Sequence, residues 1–180
     1  MERVKFDPSI LNHHDRMLAE LILGDGGRIY KPDLVISLCG EPYLFRWYVV
    51  PCNPEANVYF HIQVASDPER PLHDHPWDNT SVILAGGYQE ILNKVPAYFF
   101  KHGQMHRIEA EQLVRRPGDV IYREATWAHR LILPENIPYT LTLFTAGPML
   151  RKWGFWFADG WRPYDEVTEV REDGSAVFKI

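Results

Sequence analysis

The sequence of 180 residues contains only two cysteines, Cys39 and Cys52. Two cysteines form no disulfide framework, and theirs is not the spacing of a structural zinc site. A reducing, cytoplasmic setting is therefore expected. No apolar run approaches the ~20 residues needed to cross a bilayer, so no membrane association is expected. Met1 to Asp7 carry mixed charges and no apolar stretch, which argues against a secretory signal. There is no run of Lys and Arg, and the net charge is −5. Both argue against a nucleic-acid partner, because backbone binding needs clustered cations. Neither an internal repeat nor a low-complexity segment divides the chain, and a single domain over 1–180 is expected.

Aromatic residues, in contrast, are plentiful at 13%, including six Trp. They bury large areas and often line small-molecule pockets; they are equally the bulky fillers of a compact β-barrel.

One helix is expected, over about 9–23. Pro8 and Ser9 offer a start signal. Leu11, Leu18, Leu21 and Ile22 fall on one broad face, and Gly24-Asp25-Gly26-Gly27 stops the run. His13 and His14 near its start are expected to be solvated. From Asp33 onward the chain reads as short strands between turns. The strands run over 34–38, 43–50, 58–65, 80–85, 88–92, 98–101, 104–108, 112–116, 119–123, 130–133 and 139–145. Regularly spaced short strands indicate an all-β sandwich or barrel. The tail holds Trp153-Gly154-Phe155-Trp156-Phe157 and Asp159-Gly160-Trp161, too aromatic to leave in water, and is expected to pack across the barrel.

The most informative stretch is Pro71-Leu72-His73-Asp74-His75-Pro76-Trp77. Side chains alternate along a strand, so His73 and His75 point to the same side of the sheet. Two such imidazoles can converge on one ion, and a third from a distant strand would complete a facial set of nitrogen donors. His129, in Trp127-Ala128-His129-Arg130, is the candidate. Imidazole suits Fe, Zn, Ni and Cu. The alternative is a solvated His pair at a strand edge.

The residues resemble the cupin superfamily. His73-x-His75 leads through Asn79 to Gly86 at the spacing of the first cupin motif. Pro117-Gly118-Asp119 opens the second, with His129 eleven residues after Gly118. The resemblance covers about 34–146 and implies a double-stranded β-helix barrel, with an N-terminal helix and an aromatic C-terminal extension over 147–180. It also implies a divalent transition metal held by His73, His75 and His129. Fe(II) is the expected ion, with Zn, Ni or Mn as alternatives. Asn79, or Thr80 under a longer spacing, replaces the Glu that is usual at that position, and Glu124-Ala125-Thr126 replaces a Pro-x-Gly turn. Asp78 would restore a carboxylate only if a bulge reversed its direction. The remaining three-His site is similar to that of the thiol dioxygenases such as cysteine dioxygenase. Their Ser-x-His-x-Tyr run is missing here: the corresponding strand reads Tyr139-Thr140-Leu141-Thr142-Leu143-Phe144. Bacterial and phage cupins with "LHDHPW…GGY" and "WGF…GW" stretches are similar too. Cupins often pair barrels through edge strands, so a homodimer is expected.

The expected activity is a non-haem Fe(II) dioxygenase that uses O2 on a small anionic thiol or carboxylate. The alternatives are a metal-dependent isomerase, lyase or hydrolase, or a non-catalytic ligand-binding cupin. Arg46, Arg123 and Arg130 are candidate carboxylate forks, with Arg123 preferred because it ends the strand leading towards His129. Tyr48, Tyr88, Tyr122 and Tyr139 are candidate proton donors, and Tyr139 is expected to be catalytic. His61 is a fourth ligand or an acid/base if Tyr59, His61 and Gln63 face the interior. It is a surface residue if Phe60 and Ile62 do, and apolarity favours the latter. Trp77 and Trp127 are placed near the metal, where they would exclude water or simply pack the barrel. His102 and His106 are expected to be solvated.

Overall fold

The computed structural model describes residues 5–24, 26–38, 41–94, 98–101, 104–107, 110–170 and 176–178. Cys39, His102 and the side chain of His106 lie outside what is described. In chain order the strands are β1 Leu34–Leu38, β2 Glu41–Tyr48, β3 Asn57–Gln63, β4 Leu72–His73, β5 Asn79–Ala85, β6 Tyr88–Asn93, β7 Tyr98–Lys101 and β8 Gln104–Arg107. They continue as β9 Glu111–Arg115, β10 Val120–Arg123, β11 Ala128–Ile132, β12 Thr140–Ala146, β13 Gly154–Phe157, β14 Gly160–Pro163, β15 Thr168–Val170 and β16 Ala176–Phe178. Helix α1 spans His13–Leu23 and α2 Tyr164–Val167.

Two six-stranded antiparallel sheets form the body, ordered β1-β2-β3-β12-β5-β10 and β14-β13-β4-β11-β6-β9. The β7–β8 and β15–β16 pairs form separate two-stranded ribbons. Every expected strand is present, with ends shifted by a residue or two. Gly86 and Gly87 make the β5–β6 turn at φ +75° and +124°. A Cβ at Gly86 would collide with the Tyr139 carbonyl oxygen, so this turn requires glycine.

The expected helix is shortened. Pro8–Ile10 form a 3-10 turn, Leu11 is extended, and α1 begins only at His13. Asn12 sets that start: its Oδ1 accepts from the Asp15 backbone N–H at 2.9 Å, satisfying one of the free donors of the first turn. The buried face differs as well. Ala19 and Leu23 are buried, whereas Leu21 is 81% exposed. His13 and His14 are exposed, as expected. Asn12→Ala should cost about 1 kcal/mol of stability by urea unfolding, with no change in metal content.

The largest apolar cluster lies outside the barrel. Phe6, Leu11, Ala19, Leu23 and Ile29 of the N-terminal segment pack on Phe45, Trp47, Phe60, Ile62 and Leu141. These come from β2, β3 and β12, all from the same alternate phase. Trp47, Phe60, Ile62 and Leu141 are fully buried, each contributing ~1.5–3 kcal/mol or more by burial. The opposite phase of the same strands, Arg46, His61, Gln63, Thr142 and Phe144, lines the barrel interior. Both faces of this sheet are therefore covered, and its polar face is the inner one.

The aromatic tail does not lie across the barrel. Its Gly154–Phe157 and Gly160–Pro163 strands join the second sheet as a hairpin, with β13 pairing β4 at Phe155↔His73 and Trp156↔Leu72. Adding as strands satisfies the tail's backbone groups while burying Phe155 completely. Among the described residues no helix is long and apolar enough to cross a membrane.

Candidate metal centre

His73 ends β4, and its cross-strand partner in β11 is His129. Residues directly opposite in an antiparallel pair hold their side chains close on one face. His75 lies two residues beyond His73, past the strand's end, and returns to that face. The three residues each bring a ring nitrogen into a group lying within 4.8 Å. Nε2 of His75 and Nε2 of His129 stand 2.9 Å apart. Two imidazoles bound to one ion at ~2.0–2.1 Å place their nitrogens about 3 Å apart when they are cis, so the spacing fits a shared metal.

Asp74 points the other way and fixes this arrangement. It is fully buried and accepts from the Gly154 N–H at 2.7 Å, Arg151 Nη1 at 2.6 Å, Trp161 Nε1 at 2.8 Å and Trp156 Nε1 at 3.2 Å. All four donors belong to the C-terminal extension, which thereby clamps the His73-x-His75 segment. Burial raises the Asp74 pKa, while Gly154 and Arg151 act against that rise.

A second buried carboxylate sets the third ligand. Glu90 Oε1 lies 2.9 Å from His129 Nδ1. A carboxylate there requires Nδ1 to carry the proton, which leaves the Nε2 lone pair directed at the shared point. Glu90 is fully buried and also accepts from Arg123 Nε at 2.6 Å and Arg115 Nε at 2.7 Å. Burial alone would raise its pKa. Hydrogen bonding from His129 and the charge of Arg123 outweigh that and hold it well below the usual carboxylate range. His73 and His75 are driven well below the ordinary histidine value, first by burial and then by nearby cations. Neutral imidazoles are the form that binds metal.

The remaining candidates are sorted differently from expectation. Arg123 is 1% exposed and does not reach the cavity as a fork. Its guanidinium is taken up by Glu90, by Ser81 Oγ at 3.0 Å and by the Tyr88 hydroxyl at 3.3 Å. Tyr139 is on the outer face: its hydroxyl donates to Asp15 at 2.8 Å and accepts from the Asn12 N–H at 3.0 Å, tying α1 to the sheet. Neither touches the histidine cluster. His61, assigned by apolarity to the surface, faces inward, because Phe60 and Ile62 are consumed by packing against the N-terminal segment. Its Nε2 accepts from Arg46 Nε at 2.8 Å, and burial, reinforced by Arg46, keeps it neutral.

Trp77 lines the cavity and stacks on His75 with ring centroids 5.2 Å apart. Trp127 stands away from the cavity, beside Lys94 and Tyr122. Asp78 turns outward to the Ala125 N–H at 2.8 Å and the Tyr122 hydroxyl at 3.2 Å, so it supplies no ligand. Asn79 is buried, with Nδ2 3.4 Å from the Trp77 carbonyl oxygen.

Glu90 and Asp74 were missed in the sequence. Glu90 had a readable signal: it alternates in phase with Tyr88 and Leu92, a carboxylate on the apolar phase of a strand. Asp74 had none beyond its place between two histidines.

The histidines open onto a cavity of about 380 Å³. Ile36, Leu44, Leu131, Phe144, Trp77 and Trp153 supply most of its apolar wall, and Arg46, Arg70, Asp67, Tyr43, His61 and Gln63 its polar part.

No protein-family model matches the chain, and no curated protein matches it in sequence. Solved structures do. A cupin-2 domain protein from Rhodospirillum rubrum aligns at a TM-score of 0.50 and 11% identity, over 71% of this chain and 76% of that one. A mannose-6-phosphate isomerase-like protein from Ralstonia eutropha aligns at 0.45 and 18%, over 69% and 99%. Hydroxypropylphosphonic acid epoxidase from S. wedmorenis aligns at 0.44 and 9%, over 64% of this chain and 61% of that one. The chain thus spans about three fifths of the epoxidase's length. The likeness to the Rhodospirillum rubrum protein shows the cupin fold, as expected from the two histidine motifs, and nothing about the reaction.

Proposed function

We propose that this cupin-fold chain is a mononuclear metal-dependent enzyme, specifically a non-haem Fe(II) dioxygenase acting on a small organic acid. The observation that carries the reading is the convergence of three imidazoles, one of them with its Nδ1 hydrogen-bonded to Glu90. His73, His75 and His129 would hold the ion and leave it its full dipositive charge and an open face. Bound Fe(II) would supply O2 activation there.

The chain's own residues do the remaining work. Glu90 and Asp74 hold the ligand rings in position from behind. Trp77, against His75, shields that side of the centre from bulk water. Arg46 brings positive charge to the same cavity, which favours an anionic substrate.

The test is elemental analysis of the purified protein, followed by O2 uptake of the Fe(II)-loaded form over a panel of carboxylates and thiols. O2 consumption coupled to product formation with a carboxylate is the expected result. If no acid or thiol drives O2 uptake while the Zn(II) form isomerises or hydrolyses a substrate, a redox-neutral metalloenzyme replaces this reading.

A further inference from the structure

The cavity's charge is unbalanced, and in one place. Arg70 has the carboxylate of Asp67 within electrostatic reach. Asp67 itself is held between the backbone of β11, at the Leu131 N–H, and the hydroxyl of Tyr43. Arg46 is different. Among the described residues no carboxylate pairs with it. Its Nε is spent on His61 at 2.8 Å, and its guanidinium lies 4.5 Å over the Tyr59 ring. The hydrogen bond and the ring fix its direction without neutralising it. A guanidinium held in this way on the wall of a cavity is prepared for a planar anion.

The space beyond Arg46 is apolar. Phe144 stands between the two polar ends, its ring centroid 5.3 Å from His61 and 6.0 Å from His75. Trp77 packs edge-on against Phe144 at 5.8 Å. Leu44 and Ile36 are also on the wall. At ~30 Å³ per water the 380 Å³ cavity has room for about a dozen waters, much more than a cysteine-sized molecule displaces. Leaving the excess filled with water against aromatic walls would forgo the main source of binding energy.

We propose that the substrate is a monocarboxylate carried on an apolar body of aromatic-ring size. Its carboxylate is held by Arg46, its body lies along Phe144 and Trp77, and its far end is presented to the histidine centre. This inference rests on the metalloenzyme reading only for that last contact. It excludes the small polar thiols as preferred ligands, because they leave the aromatic wall uncovered and Arg46 out of reach of the metal-bound end.

Three probes separate the parts: 3-phenylpropanoate, propanoate without the ring, and 3-phenylpropanamide without the charge. Each is titrated calorimetrically into the full chain loaded with Zn(II), which has no redox chemistry. The phenylpropanoate should bind about 10- to 100-fold tighter than either of the others. Arg46→Gln should abolish the preference for acid over amide and keep that for ring over no ring. Phe144→Ser should do the reverse. Arg46→Lys, which keeps a point charge but not the fork, should fall between wild type and Arg46→Gln. Stoichiometric zinc in each variant verifies that the site is folded.

The inference is overturned if propanoate or the amide matches phenylpropanoate, if Arg46→Gln keeps the acid preference, or if none of the three binds. The metalloenzyme reading fails separately. If the wild-type chain takes up no metal yet shows the Arg46-dependent preference, the ligand class stands and the catalytic reading falls. Stoichiometric metal without any preference has the opposite meaning.

Discussion

Glu90→Ala should lower the stability of the metal-free protein by about 3–5 kcal/mol and weaken metal binding by roughly 10- to 100-fold. The first figure follows from burial. Glu90 has no exposure and Arg123 only 1%, and their 2.6 Å contact is what makes the buried guanidinium tolerable. Without the carboxylate, Arg123 keeps only Ser81 and Tyr88, two neutral partners. The second figure follows from His129. Its Nδ1 would lose the acceptor that fixes the proton, so its Nε2 would be free to carry hydrogen in place of a lone pair. Glu90→Gln retains the volume and one acceptor oxygen and should have the smaller effect on both. Urea unfolding measures the first quantity, and zinc titration against a competing chelator the second. Wild-type metal affinity in Glu90→Ala would mean that β11 alone orients the ring.

His129→Ala should behave in the opposite proportion. Removing one of three ligands should strip most of the bound metal and, with it, all turnover. Folding should be affected much less, because Glu90 keeps Arg123 and Arg115 as partners. The lost ring leaves space continuous with the existing cavity, not a sealed void. Elemental analysis together with thermal unfolding of the metal-free forms distinguishes the two variants. A His73, His75 and His129 triple Ala variant that still carries stoichiometric metal would place the site elsewhere.

The strands were legible because turn residues punctuate them: Gly86-Gly87 and Pro117-Gly118 end runs that alternate cleanly. The histidines were legible because period-2 spacing and a distant third imidazole are properties of sequence. Direction was harder. For β3, alternation separates Phe60 and Ile62 from Tyr59, His61 and Gln63, but it does not say which set faces the barrel. The apolar set met Phe6 and α1 on the outside, so the usual rule of apolar residues inward placed His61 on the wrong side. Arg123 was read from its position at the end of β10. Its actual direction is set by Glu90, 33 residues earlier on another sheet. Tyr139 was read as a proton donor, yet its phase in β12 takes it to the outer face and the start of α1. Each of these depends on a partner far away in sequence, which local pattern does not carry.

The packing of the N-terminal segment on the outside of the first sheet separates two demands that most barrels place on the same residues. Stability is drawn from the slab between α1 and the sheet, where Trp47, Phe60 and Ile62 are sealed. Chemistry is left to the other phase of the same strands. Leu44 and Thr142 border the cavity, so their exchange should cost less folding energy than that of Trp47 or Phe60, whereas Phe144 is also packed in a buried cluster with Tyr59 and Ala146. A fold organised in this way is suited to divergence of ligand preference, because selection can rewrite the inner wall while the outer one keeps the chain folded.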